Sequence, residues 1–257
     1  SDQQRAIEAV MAMSGMAEPA PVVLRADRGR GQSAALGMAA TRLVRECGGR
    51  VCVTAVRPSA LDSFWTFVPV ACRDGVMFRA PDELLRQPPA ADVLMVDEAA
   101  MLPVPMLSAM TAQWPASVLA TTVHGYEGTG RGFDLRFRGV LERDYPGWQR
   151  VTLDEPIRWA PDDPLEDLMN RLLCLDADLP ASPSPGAPVT YRVLTQDELL
   201  SDDALLKAVM GLLVSAHYQT TPDDLRQLLD DPETVFVAAL QGDTPVGVAW
   251  GLREGGL

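Results

Sequence analysis

The first 160 residues alternate short apolar runs with longer stretches in which apolar positions recur every three or four residues. "PVVLRA" (21–26), "RVCVTAV" (50–56), "GVMFRAP" (75–81), "DVLMVDEAA" (92–100) and "SVLATTV" (117–123) read as strands. Their near-continuous apolar character is that of strands covered on both faces. Residues 33–46, 58–68, a brief segment from Pro81, and 104–114 read as helices between them. "WQRVTL" (148–153) adds a further strand. Strands separated by helices predict an α/β fold with a parallel sheet and right-handed crossovers.

Beyond residue 160 the pattern changes. "PLEDLMNRLLCL" (164–175) is an amphipathic helix, and "DADLPASPSPGAP" (176–188), rich in Pro, Ala, Ser and Asp, reads as a linker. A strand (189–194) and a long helix (203–218) follow, then a second helix (221–232) with Thr221 as cap and Pro222 in its first turn. "TVFVAALQ" and "PVGVAWGL" form a hairpin around "GDT". This β-α-α-β-β unit leaves a sheet edge open, which predicts an incomplete domain. The expected organisation is therefore a first domain over 1–175, a linker over 176–188 and a second, partial domain over 189–257.

Composition narrows the function classes. A hydrophobic content of 47% supports a sizeable core, and no apolar run is long enough to span a membrane. The opening "SDQQRAIEAVMAMSG" lacks the features of a signal peptide, which favours a cytoplasmic location. Cys47, Cys52, Cys72 and Cys174 show no metal-type spacing and read as structural thiols. The net charge of −13 is uneven: residues 1–160 carry 17 arginines against 18 acids, residues 161–257 only 5 cations against 17 acids. The first part can face an anionic ligand; the second alone repels nucleic acid.

The chemistry concentrates in three places. "ADRGRGQS" (26–33) follows an apolar strand and opens a helix, the context of a phosphate loop, whose backbone N–H groups hold an anion. Arg28, Gly29, Arg30, Gly31, Gln32, Ser33 and Ala34 are its candidate nucleotide-binding residues, and the Ser33 hydroxyl suits Mg²⁺. Gln32 stands where such loops carry lysine and cannot supply its charge to the β- and γ-phosphates. Arg28 and Arg30 partly compensate, with different geometry. "VLMVDEAA" ends in two carboxylates: Asp97 to hold Mg²⁺ through water, Glu98 to orient and polarise the attacking water. A helix-start acid pair is the plainer alternative. In "TTVHGYEGTGRGF" (121–133), Thr122 ends a strand where a polar group senses the γ-phosphate. Arg131 follows in a Gly-rich segment and suits an arginine finger, with an RNA phosphate or solvent as the other readings. His124 has no partner spacing for catalysis. Gln3 precedes the loop at a distance suited to reading adenine, since an amide offers both a donor and an acceptor. Trp159 and Arg158, set between prolines, read as a packing anchor, an interdomain clasp or an RNA-stacking site. His217 ends a helix, where a histidine suits the dipole.

Taken in order, "RADRGRGQSAALG", "VDEAAMLPVPML", "TTVHGYEGTGRGF", "EPIRWAPDDPLE" and "SAHYQTTPDDLRQLLDDP" resemble the bacterial tRNA(Met) cytidine acetyltransferase family over nearly the whole chain. The resemblance implies a RecA-like, RNA-helicase-like P-loop ATPase joined to a GNAT-type acetyltransferase, using acetyl-CoA and ATP to form N4-acetylcytidine at the wobble position of elongator tRNA(Met). It places Gly29, Gly31, Gln32 and Ser33 on the phosphate loop, Asp97 and Glu98 on the Mg²⁺ and water acids, and Arg131 in the Gly-rich signature. It implies tRNA and ATP as partners. The acetyl-CoA site falls outside this chain, which as given is expected not to acetylate. Two readings of the first domain stay open: an ATPase that hydrolyses, and a nucleotide- or RNA-binding module without turnover. A true helicase or DNA-repair ATPase is disfavoured, because a β-α-α-β-β unit follows the linker rather than a second ATPase core.

Overall fold

A computed structural model describes the chain apart from residues 123–128, 178, 181, 217–221 and 254–257; the side chains of 129–132, 134–136, 216 and 222 are likewise left aside. The chain divides into two compact units, the first including 1–125 and 130–161 and the second including the chain from Asp162 onward.

The first unit is built on six strands: β1 (Val22–Ala26), β2 (Val51–Thr54), β3 (Val76–Phe78), β4 (Val93–Val96), β5 (Ser117–Thr122) and β6 (Gln149–Leu153). They lie in the order β3-β2-β4-β5-β1-β6, and every neighbouring pair is parallel. The expected α/β fold with a parallel sheet is present, and 148–153 does supply a strand.

Alternation along each strand splits the core in two. Val22 and Leu24, Val51 and Val53, Met95, and Val118 and Ala120 face one side; Val23, Cys52, Leu94, Val96 and Leu119 face the other. Helices α1 (Asp2–Ser14), α2 (Gln32–Cys47) and α3 (Asp62–Thr66) cover the first side. Helices α4 (Pro81–Arg86), α5 (Val104–Gln113) and α6 (Thr129–Asp144) cover the second. A sheet with helices on both faces must be apolar throughout, hence the uninterrupted runs.

Two of these helices, α1 and α6, are not among the elements read from the sequence. The α1 face is Ala6, Ile7, Val10 and Met13, all buried. The Gly-rich stretch ending at Phe133 reads as loop from its composition, yet α6 begins at Thr129. Phe133, Phe137 and Leu141 recur every four residues and are buried, and their burial outweighs the propensity cost of glycine, roughly 1 kcal/mol each.

The second unit opens with α7 (Pro164–Leu172), started by Asp163, whose side chain accepts from the Leu165 N–H. It then forms a three-stranded antiparallel sheet from β7 (Thr190–Leu194), β8 (Thr234–Gln241) and β9 (Thr244–Leu252), with α8 (Gln196–Ser201), α9 (Asp203–Ala216) and α10 (Pro222–Asp230). Its core includes Leu194, Leu199, Val209, Leu213, Leu228 and Phe236. Cys174 and Ala177 belong to this core, so the division at Pro161 lies upstream of the Pro-rich stretch that reads as linker. Helix α8, which the apolar pattern does not announce, is started by a capping box between Thr195 and Glu198. Among the described residues no helix is long and apolar enough to cross a membrane.

Candidate functional site

The carboxyl ends of β1, β4 and β5 meet at one edge of the first unit's sheet. β5 lies between the other two, so whatever ends β5 stands between the loop after β1 and the acids after β4.

The loop after β1 alternates in hand. Gly29 (φ 83°) and Gly31 (φ 78°) are left-handed, while Arg30 between them keeps a negative φ. Such alternation turns successive N–H groups into a concave anion cradle. Gly31 is also the residue before α2, and its carbonyl accepts from the Ala35 N–H at 2.9 Å. Buried Ala34 follows in the helix's first turn, so the positive end of α2 opens into the cradle.

The cradle is held from outside. Residues 154–159 form a strap along it: the Ile157 N–H donates to the Gly29 carbonyl at 3.0 Å, and Arg30 Nε donates to the Asp154 carbonyl at 3.1 Å. The Trp159 ring lies so close to Gly29 that a Cβ there would overlap it, and a Cβ at Gly31 would overlap Ile157. The Arg30 guanidinium sits 5.8 Å from the centre of the Trp159 ring, and its Nη1 donates to the Arg28 carbonyl. Trp159 thus packs on the loop 26–33, while the Arg28 side chain is exposed. Gln3, buried in the first turn of α1, donates from Nε2 to the Arg30 carbonyl at 2.8 Å. Its neighbour Asp2 accepts from the N–H groups of Asp154 and Glu155 at 2.7 and 2.9 Å. The Glu155 N–H above all, with Arg5 and the Asp154 N–H, lowers the Asp2 carboxyl to about 2. Composition gives little sign of Asp2 or of the strap's backbone; the one signal is the rigid Pro156 and Pro161 around Trp159.

Gln32 turns to the strand ends. Its Nε2 donates to the carbonyls of Leu24 and Thr121. Its Oε1 accepts from the Thr122 hydroxyl at 3.4 Å, and the same hydroxyl lies 3.4 Å from Glu98 Oε2. Thr122 therefore stands between the loop 26–33 and Glu98, its single proton within reach of either acceptor.

Asp97 is buried at the end of β4, its N–H bound to the Thr54 carbonyl. Its Oδ1 accepts from the Glu98 N–H, while Oδ2 is buried and has no hydrogen-bond partner. Burial raises its pKa, and the Ser33 hydroxyl and the Glu98 N–H offset this only in part. Glu98 itself adopts a left-handed backbone (φ 50°), an uncommon state for a non-glycine residue that costs of order 1 kcal/mol or more. It is held there at the start of the 3₁₀ turn Ala99–Met101.

The structure thus brings together Gln3, Gly29, Arg30, Gly31, Gln32, Ser33, Ala34, Asp97, Glu98 and Thr122. Arg131 lies in the first turn of α6, but its side chain is outside the described residues, as are His124, His217, Tyr218 and Thr221. Burial pushes the Cys52 thiol up to about 11, which keeps it protonated and inert. Among the described residues no cluster of three or more His, Cys, Asp or Glu is placed to hold a metal; a cation here would rest on Ser33, Asp97 and ligand oxygens.

Residues 23–176 match the family model described as "RNA cytidine acetyltransferase NAT10/TcmA, helicase domain". The chain belongs to this family. Relatives named "tRNA(Met) cytidine acetyltransferase TmcA" align along almost all of it: 42% identity in Nitrosococcus halophilus over 99% of the chain, 38% in Vibrio cholerae over 100%, and 42% in Haloferax volcanii over 97%. The chain spans only 36%, 38% and 36% of those three proteins. Among solved structures, a Pif1 helicase from Candida albicans aligns with 73% of the chain and 49% of its own, at a TM-score of 0.46 and 15% identity. The matched family segment contains the loop, both acids, Thr122 and the strap, while Gln3 and Asp2 precede it.

Proposed function

We propose that the first unit binds and hydrolyses ATP, as the motor module of an RNA cytidine acetyltransferase acting on tRNA. The observation that carries this reading is Thr122, whose hydroxyl stands between the loop 26–33 and Glu98 at the end of β5.

In this reading the loop N–H groups and the α2 dipole hold the β- and γ-phosphates. Asp97 and Ser33 fit Mg²⁺: Oδ2 is buried without a partner, and the raised pKa is what a cation would reverse. Held there, such an ion would supply charge neutralisation to the phosphate oxygens. Glu98 orients a water and takes its proton. The water oxygen bonds to the γ-phosphorus as the bond to the β,γ-bridging oxygen breaks, and the electron pair leaves on the diphosphate. Arg131 is the candidate finger for the transition-state charge. The second unit, in which β7 is followed by α8, α9, α10 and the β8–β9 hairpin, is read as the opening of a GNAT domain whose acetyl donor is acetyl-CoA. ATP turnover would remodel the tRNA so that the target cytidine reaches that donor, in the cytoplasm.

The second reading, a nucleotide- or RNA-binding module without turnover, is favoured by one observation: Gln32 is committed to two strand carbonyls. Phosphate release measured with and without tRNA separates the two. Turnover in the parent that vanishes in Glu98→Ala supports the motor. ATP binding without release, in the parent and in Gln32→Lys alike, leaves the binding module.

A further inference from the structure

We propose that Gln3 and the strap 154–159 are positioning elements of the phosphate loop, which hold its peptide planes so that consecutive N–H groups face the bound polyphosphate. The inference rests on the reading of 26–33 as a nucleoside triphosphate site and goes beyond it by giving Gln3 a role other than reading the base.

In a planar trans peptide the C=O of one residue and the N–H of the next point in opposite directions. The Gly29 carbonyl is held outward by the Ile157 N–H, so the Arg30 N–H is turned to the opposite side. The Arg30 carbonyl is held outward by Gln3 Nε2, so the Gly31 N–H is turned likewise. The Gly31 carbonyl points down α2 to the Ala35 N–H, so the Gln32 N–H points back out of the helix. Three successive planes are thus fixed by three donors, the Ile157 N–H, Gln3 Nε2 and the Ala35 N–H. The change of φ sign at Arg30, between left-handed Gly29 and Gly31, is the kind of alternation that lets successive N–H groups converge.

Without these anchors a glycine loop samples many conformations, and ordering it would be charged against phosphate affinity. Trp159 adds a steric wall: its ring occupies the place of a Gly29 side chain, so the loop cannot relax toward it. The strap is in turn fixed to α1, because Asp2, one residue before Gln3, accepts from two of its N–H groups. One turn of α1 therefore sets both the strap and the loop.

The test uses Mg²⁺ complexes of ATP, GTP and tripolyphosphate, titrated calorimetrically against the parent, Gln3→Met, Trp159→Ala and Trp159→Phe, with a melting curve for each. A loop-positioning Gln3 predicts that Gln3→Met weakens all three ligands by a common factor of about five to ten, leaving the ATP-to-GTP ratio unchanged. Trp159→Ala should do the same, and Trp159→Phe should recover most of the loss. A loss confined to ATP would overturn the proposal in favour of base reading. Unchanged affinity in Gln3→Met and Trp159→Ala would overturn it outright, as would losses that merely track melting temperature. If the parent binds none of the three ligands, the phosphate-site reading itself falls and takes the inference with it. Binding by the parent with indifferent variants removes the inference alone.

Discussion

Gln32 Nε2 donates to the main-chain carbonyl of Thr121 at 2.7 Å, tying the start of α2 to the end of β5. The Leu24 carbonyl accepts from the same nitrogen at 2.9 Å. A side-chain amide has two N–H bonds, so both are used and neither remains for a phosphate. An ammonium has three donors and a full charge. Gln32→Lys is therefore expected to keep the strand contacts and add a charge-assisted bond to the β- or γ-phosphate, tightening Mg·ATP at least tenfold. Equilibrium titration measures this, and a lysine variant that binds no tighter would show that Gln32 is not what limits the loop.

Thr122 makes a sharper prediction about rate. Its hydroxyl stands 3.4 Å from both Gln32 Oε1 and Glu98 Oε2, and Glu98 keeps an unfavourable left-handed backbone. Thr122→Val preserves shape and removes the hydroxyl. Glu98 should then lose orientation, with kcat for ATP falling about tenfold and KM nearly unchanged, as expected for an interaction of about 1–1.5 kcal/mol that matters in the transition state. A rise in KM at constant kcat would instead make Thr122 a ground-state contact.

The candidate site's side chains stood out in the sequence because the proposed nucleotide chemistry calls for unusual local patterns: glycines after a strand, paired acids ending an apolar run, a polar residue closing the next strand. The parallel sheet was legible because strands buried on both faces cannot hide their composition. What escaped was backbone-mediated or masked. Asp2 and the Ile157 N–H act through main-chain hydrogen bonds, which leave no residue-type signature. Helix α6 carries its Phe133, Phe137 and Leu141 stripe among glycines that signal a loop. The α1 stripe is plain in hindsight, whereas α8 is announced only by Thr195 and Glu198. Gln3 was visible as a candidate, but its direction was not: an amide suited to an adenine edge is equally suited to a carbonyl of the loop.

Asp2 gives the strap a pH signature. Its folded pKa of about 2 lies below the ordinary 3.8, so its contribution to stability is present above the unfolded value and is lost as pH falls through the folded one. The melting temperature of Asp2→Asn should lie below the parent's by a constant amount from pH 5 to 8. The two curves should converge between about pH 4 and 2. A gap that persists unchanged at pH 2 would mean that the carboxylate's charge contributes nothing to the clip on Asp154 and Glu155.

Asp97 runs in the opposite sense. Burial raises its pKa, so the folded state holds the proton more tightly than the unfolded chain, and the penalty for ionising it grows as pH rises past the ordinary carboxylate range. Asp97→Asn keeps an oxygen for the Glu98 N–H and removes the buried charge. In the absence of nucleotide and Mg²⁺ the variant should melt higher than the parent at pH 7, by about 2–4 °C if roughly 1 kcal/mol is relieved, and the advantage should shrink toward pH 4. The same variant should lose the Mg²⁺ dependence of ATP binding, because a neutral amide is a poor partner for a hard divalent cation. Stability gained together with Mg²⁺ response lost would mark Asp97 as a residue kept for its ligand at a cost to the fold. A variant that is destabilised, or that still responds to Mg²⁺, would place the cation elsewhere.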